Sequence, residues 1–188
     1  MNIESQVLQR VIDALEKYSI PYAIVGSTGA STWGLDRSTS DIDMITLVDG
    51  EHADEIISLL SNEAFYVPES DARFALIHGG SFNVLHPEHG TKVDVFVAPL
   101  NDEFAQIRLS RRVQSLIHGI PAYVATAEDI VLAKLRWRLT TSSERQWSDC
   151  ADLVARNTLD RTYLRNWASQ LGLLPDLERL LDQVDSVS

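Results

Sequence analysis

The chain has 188 residues, of which 45% are hydrophobic, and a formal net charge of -11 at pH 7. This length and composition suit a protein with a substantial core of its own, and the acidic balance argues against a broad polyanion-binding surface. The single cysteine, Cys150, excludes an internal disulfide, and no apolar stretch is long enough to span a membrane. The polar N-terminal residues show no signal-peptide pattern, so we expect a cytoplasmic protein without a membrane partner.

The first elements are predicted to be a helix and a buried strand. Apolar residues recur at helical spacing over residues 3–15, which predicts an amphipathic helix. The apolar run at residues 23–25 predicts a short buried strand that stops at Gly26. Ser27 can begin a second helix. The first amides of that helix would lack partners within it and would suit a phosphate chain.

Two strands are predicted to carry three carboxylates. Asp41 and Asp43 alternate with apolar residues over positions 41–45, a period-two pattern typical of a strand. Both carboxylates therefore face the same way, with alpha carbons about 6–7 Å apart. Asp94 occupies a second alternating strand over residues 93–97. If the two strands pair, the three carboxylates converge at a strand spacing of about 4.8 Å.

Three carboxylates at this spacing would repel one another unless cations neutralised them. Two divalent cations, magnesium or manganese, would do so through hard oxygen ligands and would clamp the attacking and leaving oxygens of a phosphoryl transfer. Asp94 is the candidate to accept a hydroxyl proton. An Asp-x-Asp pair or a Gly-Ser turn alone is common in proteins, so the prediction of nucleotidyl transfer rests on all the pieces in this order.

The middle of the chain alternates between helix and strand patterns. Residues 54–60 are predicted to form a helix, and residues 73–78 and 81–85 two short strands. Residues 112–117 and 121–124 are predicted to form a hairpin.

The turn between the middle strands contains His86-Pro-Glu-His89, which has a spacing found in metal sites. Pro87 and Gly90 predict a turn here. No cysteine pair completes the four ligands of a structural zinc, so the sequence does not favour zinc binding at this turn.

The last third of the chain is predicted to be helical. Thr126 caps the first of four helices, predicted over residues 126–139, 144–156, 162–171 and 176–184. The sequence therefore predicts an α+β fold, with a mixed β-sheet core and flanking helices over residues 1–125 and a C-terminal helical cap over residues 126–188.

Taken in this order along the chain, the motifs resemble those of the nucleotidyltransferase superfamily. That superfamily is marked by a Gly-Ser turn, an Asp-x-Asp strand and a later third aspartate. The phrase Arg37-x-Thr39-x-Asp41-Ile-Asp43 is similar to the AbiEii-type toxin branch and its uncharacterised relatives, as is the block at residues 127–135 with the following block at 143–149. The resemblance covers about residues 21–173 of the chain.

This resemblance implies roles for the residues of the core motif. Gly26 and Ser27 would hold the triphosphate of a nucleoside triphosphate. Asp41 and Asp43 would bind magnesium. Asp94 would complete the metal-binding carboxylates and could serve as the base.

The resemblance also implies roles outside the core motif. Lys134 would meet the phosphates as a compact positive charge. Arg37 and Thr39 would touch phosphate or brace their loop, and Arg145 would help to bind the nucleotide. Asp149 would orient Lys134 or Arg145, or would form an ion pair between neighbouring helices.

The resemblance implies an enzyme that moves a nucleoside monophosphate from a nucleoside triphosphate to an acceptor hydroxyl and releases pyrophosphate. It favours RNA as the acceptor, in a toxin whose partner is a separate antitoxin. The net charge of -11 suits a small-molecule or protein acceptor better. A non-catalytic regulatory protein that binds nucleoside triphosphate is a further alternative, although the retention of all three aspartates argues against it.

Overall fold

The structure is a computed structural model that describes residues 2–35 and 41–186. The described residues divide into two compact units. Of the described residues, 2–28 and 41–125 form the sheet unit, and 29–35 and 126–186 form the helical unit. Among the described residues, no helix has both the length and the apolar character needed to cross a membrane.

The sheet unit contains one mixed sheet of six strands. They are β1 (Tyr22–Val25), β2 (Asp41–Leu47), β3 (Gly80–His86), β4 (Thr91–Ala98), β5 (Val113–Ile117) and β6 (Ile120–Val124). The strand order is β3-β4-β2-β1-β6-β5. β2 runs parallel to β4 and antiparallel to β1. The first residues of β2 and β4 therefore lie beside the last residues of β1, at one end of the sheet.

Helices make up most of the other described residues. The helices that begin in the sheet unit are α1 (Ile3–Glu16), α2 (Gly26–Ser31), α3 (Ala53–Leu60), α4 (Glu69–His78) and α5 (Glu103–Arg111). The helical unit contains α6 (Ala127–Thr141), α7 (Glu144–Arg156), α8 (Arg161–Gln170) and α9 (Leu174–Asp185), together with the last residues of α2.

Strands β3 and β4 bury alternate residues against helices. Both strands contact α1 and α4. The inward residues Phe82, Val84, Val93 and Val95 are at most 3% exposed and join the main hydrophobic core. Side chains of a strand alternate between its two faces. The residues between these apolar positions therefore point to the opposite face, which carries the carboxylate of β4.

The predicted strand at residues 73–78 is wrong, because these residues form the second half of α4. The buried residues of this helix are Ala72, Ala75 and Leu76, and their spacing of three and four positions is helical. The short apolar run that ends the helix also fits a strand, and periodicity cannot separate the two over so few residues.

Helix α5 lies in a segment for which the sequence predicted no element. The side chain of Asp102 caps it by accepting a hydrogen bond from the backbone N–H of Ala105. Phe104, Ala105 and Leu109 are its buried apolar residues. The helix packs against β1 and β2.

The other predicted elements are present with small changes at their ends. The hairpin of β5 and β6 turns at His118 and Gly119, which both have positive φ, as a two-residue hairpin loop requires. Thr126 caps α6 as predicted. The predicted α+β fold, with a mixed sheet and flanking helices, is confirmed.

Candidate active site

The paired strands β2 and β4 bring the three predicted carboxylates onto one face of the sheet. Asp43 lies directly opposite Asp94, and Asp41 lies opposite Lys92, two residues before Asp94. Opposite residues of neighbouring strands point to the same face, about 4.8 Å apart in the hydrogen-bonding direction. The structure therefore groups Asp41, Asp43 and Asp94 within the sheet unit.

A lysine that the sequence analysis did not single out lies among these carboxylates. The Lys92 Nζ donates a hydrogen bond to Asp94 Oδ2 at 2.7 Å and lies 3.5 Å from Asp41 Oδ2. The hydrogen bond to Asp94 raises the pKa of the Lys92 amine; desolvation opposes this rise, and the negative charges of both aspartates add to it. A positive charge thus bridges two of the three carboxylates.

An asparagine on the edge strand holds the other oxygen of Asp94. Asn83 on β3 lies opposite Asp94, and its side-chain nitrogen, oriented towards that residue, donates to Asp94 Oδ1 at 2.7 Å. Lys92 and Asn83 therefore each contact one oxygen of the Asp94 carboxylate. Together they fix its orientation.

The glycine of the predicted phosphate turn lies against the carboxylate of Asp43. Gly26 has a φ of +62°, and a Cβ atom built on it would lie 1.9 Å from Asp43 Oδ2. Only glycine combines this backbone conformation with so close an approach. Ser27 follows it in α2, and the Thr28 hydroxyl donates to the backbone oxygen of Asp41 at 3.1 Å. The turn is thus joined to β2 by packing and by a hydrogen bond.

The donor set fits a hard divalent cation. Asp41, Asp43 and Asp94 offer carboxylate oxygens on one face, and all three are partly exposed to solvent. Magnesium and manganese prefer such ligands. The Lys92 ammonium lies between two of the carboxylates, which shows that this position favours positive charge.

The predicted residues of the helical unit form a buried ion pair. The Lys134 Nζ donates to Asp149 Oδ2 at 2.7 Å and to Gln146 Oε1 at 3.0 Å. The lysine and the aspartate are both buried, on α6 and α7 respectively. The contact between Asp149 and Lys134 fits both alternatives of the sequence analysis, an orienting partner and an ion pair between neighbouring helices. Arg145 is exposed in the first turn of α7.

The remaining predicted residues, Arg37 and Thr39, lie outside the described residues. Their roles at the phosphates stay predictions. The same holds for a contact between Lys134 and phosphate.

Comparison with known proteins identifies the fold. No protein-family model and no curated protein sequence matches the chain. A solution structure of the antibiotic-resistance factor ANT(2'')-Ia has a TM-score of 0.56 at 14% identity, over 96% of this chain and 94% of that one. A crystal structure of ANT(2'')-Ia in complex with adenylyl-2''-tobramycin has a TM-score of 0.54 at 16% identity, over 93% of this chain and 97% of that one.

A third solved structure is also similar. It is an antigenic nucleotidyltransferase-like protein from Paracoccidioides brasiliensis, with a TM-score of 0.52 at 18% identity, over 94% of this chain and 91% of that one. At these identities the comparisons show that the chain has a nucleotidyltransferase-like fold. The narrower resemblance to the AbiEii-type branch finds no support among them and stays a prediction.

Proposed function

We propose that the chain is a metal-dependent nucleotidyltransferase that moves a nucleoside monophosphate from a nucleoside triphosphate to a hydroxyl group of a small molecule. The observation that carries the proposal is the grouping of Asp41, Asp43 and Asp94 on one face, with Gly26 against the carboxylate of Asp43. The similarity of the fold to ANT(2'')-Ia supports it, because that protein has been solved with an adenylylated molecule bound.

The charge of the chain favours a small acceptor that is not a polyanion. Acidic residues outnumber basic ones by 27 to 16, which gives the net charge of -11. Proteins that bind nucleic acid usually present a basic surface, because neutralising phosphates supplies most of their affinity. A neutral or cationic acceptor meets no such electrostatic barrier.

The residues of the site divide the chemistry between them. Asp41, Asp43 and Asp94 would hold magnesium or manganese, which when bound supplies charge neutralisation at the phosphates and polarises the phosphorus–oxygen bonds. Asp94 would accept the proton of the acceptor hydroxyl. Asn83 and Lys92 would keep that carboxylate in the orientation needed for proton transfer.

The bond changes follow from this arrangement. The acceptor oxygen forms a bond to the α-phosphorus, and the bond from that phosphorus to the bridging oxygen breaks. Pyrophosphate leaves with the electron pair. Gly26, which has no side chain, and Ser27 would allow the triphosphate to approach the backbone closely beside Asp43.

RNA is the second candidate acceptor, and the motif blocks at residues 127–135 and 143–149 favour it through their similarity to the AbiEii-type branch. In that case the protein would act as a toxin, and an antitoxin would be its partner. The two candidates share the donor and the metal site. They differ in the molecule that receives the nucleotide.

A labelling experiment distinguishes the candidates. Each of the four nucleoside triphosphates, labelled at the α-phosphate, would be incubated with the protein and magnesium or manganese. A small-molecule extract, total RNA and total protein would be offered as separate acceptors. We expect label in the small-molecule pool, with none when Asp43→Asn replaces the wild type. The exposed Asp71→Asn on α4 serves as the matched control and should transfer label normally.

Each outcome has a distinct meaning. Label in RNA that disappears with Asp43→Asn would replace the small-molecule acceptor by RNA. Label in protein would replace it by a protein side chain. Nucleotide that binds with metal and is never transferred to any pool would contradict the enzyme and favour the regulatory alternative.

A further inference from the structure

A second group of metal-ligating side chains lies at the turn between β3 and β4. His86, Glu88 and His89 each offer one ligand atom, and the three atoms lie within 4.8 Å of one another. The two imidazole rings have centroids 4.7 Å apart. Two imidazoles and one carboxylate form a donor set that suits zinc and neighbouring transition metals, with a further position left for water. We propose that this turn is a transition-metal site with His86, Glu88 and His89 as its ligands.

The backbone holds the three side chains together without a long loop. His86 ends β3 and pairs with Thr91 at the start of β4. Its backbone oxygen accepts hydrogen bonds from the N–H groups of His89 at 3.2 Å and Gly90 at 3.0 Å. The three ligands are therefore the first, third and fourth residues of a turn that these hydrogen bonds close. Little chain entropy is lost when a metal binds to such a segment.

His86 supplies an anchored ligand. Its side chain is only 9% exposed, and its ring meets the ring of Phe65 edge to face, at 5.6 Å between centroids. The His86 Nδ1 atom is buried and has no hydrogen-bond partner among the described residues. Packing holds this buried imidazole in place, and one of its nitrogens has no hydrogen-bond partner among the described residues. The ring is therefore preorganised to bind a metal ion, or to make the hydrogen bond that orients a metal-bound imidazole.

The other two ligands can adjust to the ion. Glu88 and His89 are exposed, so the site is open to metal ions from solvent. Zinc bonds to nitrogen and oxygen are about 2.0–2.2 Å long, so ligand atoms within 4.8 Å need only small side-chain rotations to meet one ion. The carboxylate of Glu88 also offsets part of the charge of a divalent cation.

This group is separate from the carboxylates of the proposed active site. Asn83 and Asp94 are opposite each other and share one face of the sheet. His86 is three residues after Asn83 on the same strand and therefore points to the opposite face. The inference does not depend on the proposed function, because it concerns other side chains and a softer class of metal.

Cobalt and zinc titrations test the site. The 188-residue chain, freed of metal, would be titrated with Co²⁺, whose visible absorption reports its ligands. Excess Mg²⁺, which prefers oxygen ligands, would be present. Zinc affinity would be obtained by competition. We expect one equivalent to bind. His89→Ala should weaken zinc binding at least about 10-fold, since changes that affect metal ligands only indirectly already cost about 10–100-fold.

Three variants make the result specific. His89 is exposed, so its replacement leaves the core intact, and the far-ultraviolet spectrum would verify the fold. His78→Ala, at an exposed histidine on α4, is the matched control and should bind zinc as the wild type does. Asp43→Asn should also leave zinc binding unchanged. Absence of binding, zinc binding as tight in His89→Ala as in the wild type, or binding lost with Asp43→Asn would each overturn the proposal.

Discussion

Replacing Gly26 by alanine provides a sharp test of the proposed active site, because this glycine has two separate reasons to lack a side chain. Its φ of +62° lies in the left-handed region, where an alanine costs about 1–2 kcal/mol. The new methyl group would also lie 1.9 Å from Asp43 Oδ2, whereas ordinary contacts begin at 3.4 Å. The carboxylate must therefore retreat by about 1.5 Å.

The two effects predict different magnitudes for stability and for catalysis. A cost of about 1–2 kcal/mol lowers the melting temperature by roughly 2–8 °C in a chain of this size. A misplacement of about 1 Å in a catalytic constellation can cost about 100-fold in rate. We therefore expect Gly26→Ala to remain folded and to lose at least about 100-fold in kcat/KM for nucleotide transfer.

A matched variant separates the two effects. Gly172 has a φ of +71°, and a Cβ atom placed there meets nothing within 4 Å. Gly172→Ala therefore carries the same kind of backbone strain without the clash. Transfer rates and thermal unfolding would be measured for both variants and the wild type. If Gly26→Ala retained a rate within about threefold of Gly172→Ala, the close packing of Gly26 on Asp43 would have no role in transfer, and the reasoning would be refuted.

Three further predictions follow from the charged and polar groups. Lys92→Met should tighten Mn²⁺ binding to the nucleotide-free protein about 5–10-fold. The reason is that the ion no longer has to displace a partly exposed ammonium whose ion pair contributes about 1 kcal/mol. A spectroscopic Mn²⁺ titration that gives equal or weaker affinity for the variant would contradict this prediction. Lys134→Met should lower the free energy of unfolding in urea by about 3–5 kcal/mol, because it removes the charged partner of the buried Asp149 carboxylate. Adding Asp149→Leu should restore most of this loss, and a small effect of the single variant would argue against a structural pair. Burial raises the pKa of the Cys150 thiol from 9.0 to about 12, so the folded state retains a proton that the unfolded state releases above about pH 9. The unfolding free energy should therefore fall as pH rises from about 9 towards 12, by up to about 1.4 kcal/mol per pH unit, and Cys150→Ala should remove that part of the slope in urea titrations.

The elements that the sequence predicted correctly are those with a strong and uninterrupted pattern. β2 and β4 alternate clearly, and α7 has the predicted bounds. The errors lie where the pattern is short. The apolar run at the end of α4 fits both the helical and the strand period. The burial of Ala72, Ala75 and Leu76, at helical spacing, identifies it as a helix. α5 was missed although Asp102 is a typical N-cap, because the charged Arg108 occupies one of its four buried positions and interrupts the apolar pattern.

The sequence predicted the three aspartates of the candidate site, but not the side chains that form hydrogen bonds with them. The three aspartates follow from strand alternation and from the order of the motifs. Lys92 could have been found by the same rule, because it precedes Asp94 by two residues and therefore shares its face. Asn83 could not, because its position opposite Asp94 depends on the register of β3 against β4. Without the hairpin structure, sequence alone does not fix that register.

The alternation of β3 and β4 places two kinds of metal ligand on opposite faces of the same pair of strands. The face of Asp94 carries hard carboxylate oxygens and the lysine that donates a hydrogen bond to Asp94. The face of His86 carries an anchored imidazole, with Glu88 and His89 in the turn beside it. Hard ions such as magnesium favour the first set, and zinc and its neighbours favour the second. Since the two faces share backbone and no ligands, Asp43→Asn should abolish transfer and leave zinc binding intact. His89→Ala should weaken zinc binding and leave transfer intact. If either variant affected both properties, the assignment of two separate sites would be refuted.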